Sequence, residues 1–434
     1  MQKFILKENF YNQLDRPDLQ TWINFIQHSH QQNQDILTTT TQILQQVKNT
    51  GDTALIKLTN QFDGSNATSI EDLIISPKAI EASSRLINAQ LKTSLRTAKQ
   101  RIENYHRKQL PQDLIFKDQL GIKLGNLWKP INKIGVYAPG GTASYPSSVL
   151  MSIIPAQIAG VKDIALFAPS SQGQINPAIL YCAKICGIKK IYKIGGAQAI
   201  GAMAYGTTTI NKVDKIVGPG NAYVATAKKL LYGEVGIDMI AGPTDVTIIA
   251  DKSANPEWVA IDALSQLEHG IDSKAFIICD STDFANQVSQ FIDHHKARLN
   301  RHQIINQSLH NSAFFIVKNI NDAPYISNLI APEHLQICVK NPQKIFKKIQ
   351  NAGAIFIGEY TPEAVGDYMA GPSHTLPTSG SARFSSGLSV YDFLKRMSLI
   401  SCSKNSFTKI SDLTSNFAEC EGLLAHKLSI DIRK

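Results

Sequence analysis

The chain has 434 residues, more than one ordinary hydrophobic core accommodates, so two or more domains are expected. Its 43% hydrophobic and 18% charged content fits a soluble globular chain, and six cysteines make no disulfide framework, so a reduced, cytoplasmic protein is expected. The net charge of +9 is dispersed over short clusters with no aromatic interleaving along a helix, which argues against a nucleic-acid face. No apolar stretch is long enough to span a bilayer, and the opening MQKFILKENF has no signal-peptide core.

Residues 1 to about 110 read as mostly helical and polar. The Gln-rich segment QTWINFIQHSHQQNQDILTTTTQILQQV carries apolar residues at helical spacing, and its His28 and His30, without acidic or Cys partners, read as surface residues. A second helix is expected from about Ala79 to His106. From Ile134 the rhythm changes. Short β-branched or apolar runs (KIGVYA, DIALFA, KIYKIGG, DKIVG, DVTIIAD, KAFIICD, AFFIVK, AIFIG) alternate with helical segments. That alternation argues for βαβ units and enough parallel strands for two sheets. After about Arg383 the pattern loosens into a tail with one helix near Phe417 to Lys427.

Three predicted strands run into small, Gly-rich turns: VYAPGGTASYPSS, IGGAQAIGAMAYG and VGPGNAYVATAKK. Each corner exposes backbone N–H groups and a helix N-terminus, which suits a phosphate or carboxylate, at the carboxyl ends of strands where parallel sheets take ligands. None reads G-x-G-x-x-G, so composition makes a dinucleotide one possibility beside plain tight turns.

Four stretches place polar groups at turns or element ends. In LSQLEHG, Gln266 and His269 are three apart at the end of a predicted helix containing Trp258 to Leu264. They therefore share a face, about 5–6 Å apart at Cβ, with Gly270 as the stop. In APEHL, Glu333 and His334 precede a strand-like run; in a loop they can converge on one substrate as base and acid, or be an exposed pair after Pro332. VGDYMAGPSHTLPT carries Asp367, Tyr368 and His374, and ECEGLLAHK carries Glu421 and His426. Imidazole, carboxylate and amide oxygen are ligand types for zinc or a similar ion, although no H-E-x-x-H or C-x-x-C is present. Cys182 and Cys186 read as core; Cys279 and Cys338 lie in strand-like runs; Cys402 and Cys420 match no motif. These residues leave open a nucleotide-like ligand at the Gly-rich turns and metal or acid–base chemistry at the polar stretches.

Taken together and in order, GVYAPGG, GGAQAI, VDKIVGPGNAYV, IDMIAGP, LSQLEHG, APEHLQ, GDYMAGPSHTLPT and EGLLAHK resemble the histidinol dehydrogenase family over nearly the whole chain. The resemblance implies an α/β fold of two Rossmann-like parallel-sheet domains without G-x-G-x-x-G, plus small N- and C-terminal extensions. Its boundaries here would be a helical extension at 1–30, a first domain at 31–133 and 244–383 with the metal and catalytic residues, an NAD-binding domain at 134–243, and a tail at 384–434 reaching the partner subunit. It implies zinc, one per subunit, on Gln266, His269, Asp367 and His426. Catalysis would fall to His334, taking the hydroxyl proton, and Glu333, activating water. Substrate would be met by Thr244, Gln266, His269, Glu333, His334, Asp367, Tyr368, His374, Glu421 and His426, and NAD+ by Tyr137, Gln198 and Asn221. The implied protein is a homodimer with shared sites, turning L-histidinol through L-histidinal into L-histidine with two NAD+, the last step of histidine biosynthesis. The alternatives are the same chemistry on another amino alcohol, a zinc hydrolase using Glu333 to activate water with the glycine loops merely structural, and a non-catalytic relative on the same fold. Two departures from the family pattern are Pro243-Thr244-Asp245 where Pro-Ser-Glu is usual, and Pro372-Ser373 before His374 where Thr-Asn is usual; Pro372 removes one N–H donor.

Overall fold

The computed structural model describes residues 1–6, 34–140, 145–171 and 173–434. His28, His30, most of the first predicted helical segment and part of the first Gly-rich turn lie outside the described residues.

The apolar runs are parallel strands, and their composition explains why. A strand covered by helices on both faces has no solvent side, so Asp245–Ala250 and Lys274–Cys279 are buried at every residue. Six strands form one sheet in the order Gln2–Ile5, Ala313–Ile316, Lys274–Cys279, Asp245–Ala250, His334–Cys338, Ala354–Ile357, all parallel. Five form a second: Lys190–Tyr192, Asp163–Phe167, Lys133–Tyr137, Lys215–Val217, Gly236–Ile237, again parallel. Leaving aside the edge strand Gln2–Ile5, each sheet has the order third, second, first, fourth, fifth in chain sequence, the doubly wound pattern with a switch point between the first and fourth strands. Among the described residues no helix is long and apolar enough to cross a membrane.

Four differences from the sequence reading have local causes. The helix expected over 79–106 is two, Pro77–Ala82 and Ala89–Arg107, because Asn88 caps the second: its side chain accepts the Leu91 N–H at 2.8 Å. The N-terminal segment, expected to be helical, begins with the strand Gln2–Ile5, whose register against Ala313–Ile316 gives it the backbone partners that a lone strand lacks. The tail carries two helices, Lys404–Cys420 and Leu424–Asp431, parted by Gly422 at φ +72°. It also begins in a sheet: Leu394–Ser401 pairs antiparallel along Lys123–Pro130, which in turn pairs with Leu114–Lys117.

The helices of residues 34–107 do not pack with the six-stranded sheet, where the expected division put them. Ile43, Leu44, Val47, Leu55 and Leu58 join one face of the five-stranded sheet, packing with Phe167, Ile200 and Ile216. Leu95, Ala98 and Ile102 join the opposite face, with Val136, Ile153 and Leu166. The apolar stripes of these helices are complementary to a sheet whose own crossover helices leave part of each face open, and sequence distance does not decide that choice.

Candidate functional site

Two cavities meet between the sheets. The larger, about 910 Å3, lies at the carboxyl ends of the five-stranded sheet and is lined by Tyr137, Gln198 and Asn221 among others. The smaller, about 360 Å3, is lined by Thr244, His269, Glu333, His334, Asp367, Tyr368 and His374. Gly140 and Asn221 line both, so the two are adjoining parts of one cleft.

The smaller cavity is built at the amino ends of six-stranded-sheet strands. Pro256 opens the helix Pro256–Leu267, and the Asn255 side chain caps it by accepting the Glu257 and Trp258 N–H groups. That start sets the phase by which Gln266 falls on the buried side. The chain then turns through His269, whose N–H donates to the Gln266 carbonyl at 3.2 Å. Ahead of the strand His334–Cys338, Ala331 takes the left-handed conformation at φ +49° and ends the helix Ala323–Ile330. Two residues later come Glu333 and His334, both buried, with His334 opening the strand. They are not an exposed pair. The Glu333 carboxylate accepts the Thr244 hydroxyl at 2.5 Å and the Asp245 N–H at 3.3 Å, both on Oε2. His334 sets Nδ1 3.2 Å from the Asp245 carbonyl oxygen, an acceptor only, so the proton belongs on Nδ1 and the lone pair on Nε2. Nε2 is buried and has no partner.

Asp367 arrives on a short π-helical turn, Gly366–Ala370, after the edge strand. Gly366 is required there: a Cβ would meet the Phe356 ring at 2.5 Å. Asp367 Oδ1 lies 3.9 Å from His374 Nδ1, and His374 Nε2 lies 3.1 Å from the Ser148 hydroxyl of the opposite domain.

Sequence reasoning missed Glu363. It is buried, and it puts a carboxylate oxygen 3.5 Å from His334 Nδ1. With His269 and Asp367 it forms a group whose ligand atoms lie within 4.8 Å of one another. The signal was present, since Glu363 precedes Asp367 by four residues, which on a helix places both on one face. Ser148 carried no comparable signal.

The electrostatics of this cluster would favour a bound cation. Five acids, Asp245, Asp262, Glu333, Glu363 and Asp367, cluster here. Burial raises each above its ordinary range, Asp245 to about 6 and Asp367 to about 7, and Glu333 and Glu363 well above, reinforced by neighbouring carboxylates. Burial lowers the three imidazoles of His269, His334 (to about 3) and His374 (to about 4), which therefore stay neutral. The Gln266 amide belongs with its nitrogen toward Glu363, donating to Oε2 at 3.0 Å, and its oxygen toward the Thr244 hydroxyl and the Asp245 N–H, which ties the helix end to the acid cluster. Neutral imidazole, carboxylate and amide oxygen are a donor set suited to a divalent ion such as zinc, so the residues present fit one.

Glu421 and His426 are not part of this assembly within one chain. Both are exposed on the tail and line neither cavity. The tail around them displays Leu413, Phe417, Leu424, Leu428 and Ile432, each 60% exposed or more, a degree of apolar display that a buried face would remove.

A family model for histidinol dehydrogenase matches residues 26–434. The chain is 46% identical over 402 residues to histidinol dehydrogenase 1 of Nostoc sp., covering 92% of each chain. It is 44% identical over 402 residues to the histidinol dehydrogenase of Rhodospirillum rubrum, again covering 92% of each. The crystal structure of histidinol dehydrogenase from Elizabethkingia anophelis superposes with a TM-score of 0.92 at 40% identity, over 100% of this chain and 98% of that one. With the fold, the order of its motifs and these relatives in agreement, the chain belongs to the histidinol dehydrogenase family.

Proposed function

We propose that this chain is a zinc-dependent L-histidinol dehydrogenase that oxidises L-histidinol through L-histidinal to L-histidine with two NAD+. The observation that carries the reading is the pairing of Glu333 with His334 at the mouth of one strand, beside His269 and Asp367 and next to the larger cleft.

Alcohol oxidation needs a base for the hydroxyl proton while hydride leaves the carbinol carbon. His334 Nε2 carries a free lone pair in the cavity, and the Nδ1 contact to the Asp245 carbonyl fixes the ring for that task. The aldehyde must then become a hydrate, because a second hydride can leave only from a tetrahedral carbon. Glu333 is suited to take the water's proton: burial makes its carboxylate a stronger base than usual, and Thr244 and Asp245 hold it in place. Gln266, His269 and Asp367, with His426 from a second subunit, would hold zinc, which when bound fixes the substrate's nitrogens and so supplies positioning. NAD+ when bound supplies the hydride acceptor, and Tyr137, Gln198 and Asn221 line the cleft that would take it. The exposed apolar residues of the tail support the shared, dimeric site.

The test is NADH formed per L-histidinol consumed, before and after chelation. Two per substrate, lost on chelation and restored by zinc, is the expected result. One per substrate would end the Glu333 role, and none would end the proposal.

A further inference from the structure

A helix N-terminus that follows a parallel strand suits a phosphate. At one such corner here the place is filled from within. The helix Gly196–Tyr205 follows the strand Lys190–Tyr192, and the Asp63 carboxylate accepts the Gly195 N–H at its start, at 3.1 Å. Asp63 is the last residue of the helix Asp52–Asp63, the end at which the helix dipole disfavours a negative charge. Its carboxyl is half-buried, and burial raises it to about 6. A carboxylate kept at such a disadvantage, on the wall of the larger of the two adjoining cavities, calls for a use.

The composition of the cleft narrows that use. Among its described lining residues Asp63 is the only charged side chain, with no lysine or arginine to meet a phosphate. Ile43, Phe62, Ile175 and Ile179 supply an apolar wall. Two further donors face a ligand. Gln198, 1% exposed, has a buried Nε2 without a partner. The Tyr137 hydroxyl accepts the Gly196 N–H at 3.1 Å, which leaves its own proton to donate. A carboxylate that accepts, two side-chain donors and an apolar wall match a nucleoside, with its hydroxyl-rich sugar and flat base, and do not match an anion.

We propose that this cleft takes the adenosine half of the dinucleotide, that the Asp63 carboxylate accepts the ribose diol, and that Asp63 thereby selects NAD+ against its 2′-phosphorylated form. The inference rests on the dinucleotide reading above. The pyrophosphate then belongs nearer the Gly218–Asn221 turn, where the two cavities join. A 2′-phosphate would bring two negative charges against Asp63 with no cation in the lining to offset them.

The test compares the wild type with Asp63→Ser and the isosteric Asp63→Asn. Steady-state kinetics with NAD+ and NADP+ are read beside calorimetric binding of ADP-ribose and 2′-phospho-ADP-ribose. Wild type should prefer NAD+. Asp63→Ser should raise KM for NAD+ and cut the NAD+ over NADP+ ratio of kcat/KM by roughly tenfold or more. KM for histidinol and kcat at saturating NAD+ should hold. Asp63→Asn keeps an acceptor for the Gly195 N–H and, with the charge gone, should lower the ratio as well. An NAD+-active wild type whose ratio survives both substitutions overturns the Asp63 inference alone. A wild type that reduces no NAD+ and binds no ADP-ribose overturns the dinucleotide reading and this inference with it.

Discussion

The two parallel sheets have the same strand order yet face the cleft with opposite ends. The five-stranded sheet presents the carboxyl ends of its strands, and all but Gly236–Ile237 lead into a helix; the six-stranded sheet presents amino ends, and those of Lys274–Cys279, Ala313–Ile316, His334–Cys338 and Ala354–Ile357 follow the finish of a helical segment. Helix starts carry partial positive charge and helix finishes partial negative charge. One topology therefore makes two unlike half-sites. At the amino ends, the finish of Pro256–Leu267 and the cluster of Asp245, Asp262, Glu333, Glu363 and Asp367 would favour a cation. At the carboxyl ends, helix starts would favour an anion, and Asp63 takes one of them for the protein itself. The direction in which each sheet is docked, more than its connectivity, decides what the cleft can hold.

The comparison can be broken most severely at the tail, which belongs to neither sheet. Ending the chain before Glu421 should abolish turnover while both sheets fold, checked by NADH production beside circular dichroism; an active truncated protein would place the whole site within one chain. Within the amino-end half-site, Glu333→Gln should slow aldehyde oxidation by roughly 10²–10⁴-fold and alcohol oxidation far less. The check is single-turnover kinetics started from each substrate, and equal losses would deny Glu333 the water step. Glu363→Gln removes a negative charge without removing a motif residue. It should weaken zinc binding by roughly 10–100-fold in a chelator competition, read from metal content and independent of turnover. Unchanged affinity would mean that Glu363 serves only to hold Gln266.

The smallest effect belongs to the carboxyl-end half-site. Asp63 ionises near pH 3.8 when unfolded and near 6 when folded, so its ionisation costs stability progressively as pH rises from about 4 to 6, and the cost persists above. Asp63→Asn removes that cost. Its melting temperature should match wild type below about pH 4 and exceed it by roughly 2 °C at pH 7 in calorimetric scans. A constant gap across pH would mean the charge is not the cause.

What the sequence made legible follows from how many neighbours a signal needs. Parallel strands such as Asp245–Ala250 announce themselves because both faces are apolar. Gln266 and His269 are visible because a turn follows them at once. The three-stranded antiparallel sheet was missed because all four residues of Leu114–Lys117 remain exposed, leaving no alternation to read. Glu363 was marked only by its helical spacing four residues before Asp367, and its role becomes plain beside His334 and His269. Asp63 acts on an amide 132 positions away, a pairing that no local pattern encodes. The packing of residues 34–107 on the five-stranded sheet was illegible for the same reason.

The acids buried at the amino ends have a consequence for the protein's life outside catalysis. Burial makes these acids keep their protons to higher pH than free carboxylates do. Loading an ion should release protons into the medium and raise the melting temperature, most strongly at high pH. On the proposed zinc reading, a cell short of the ion would carry a softer population of this protein, exposed first to proteolytic turnover.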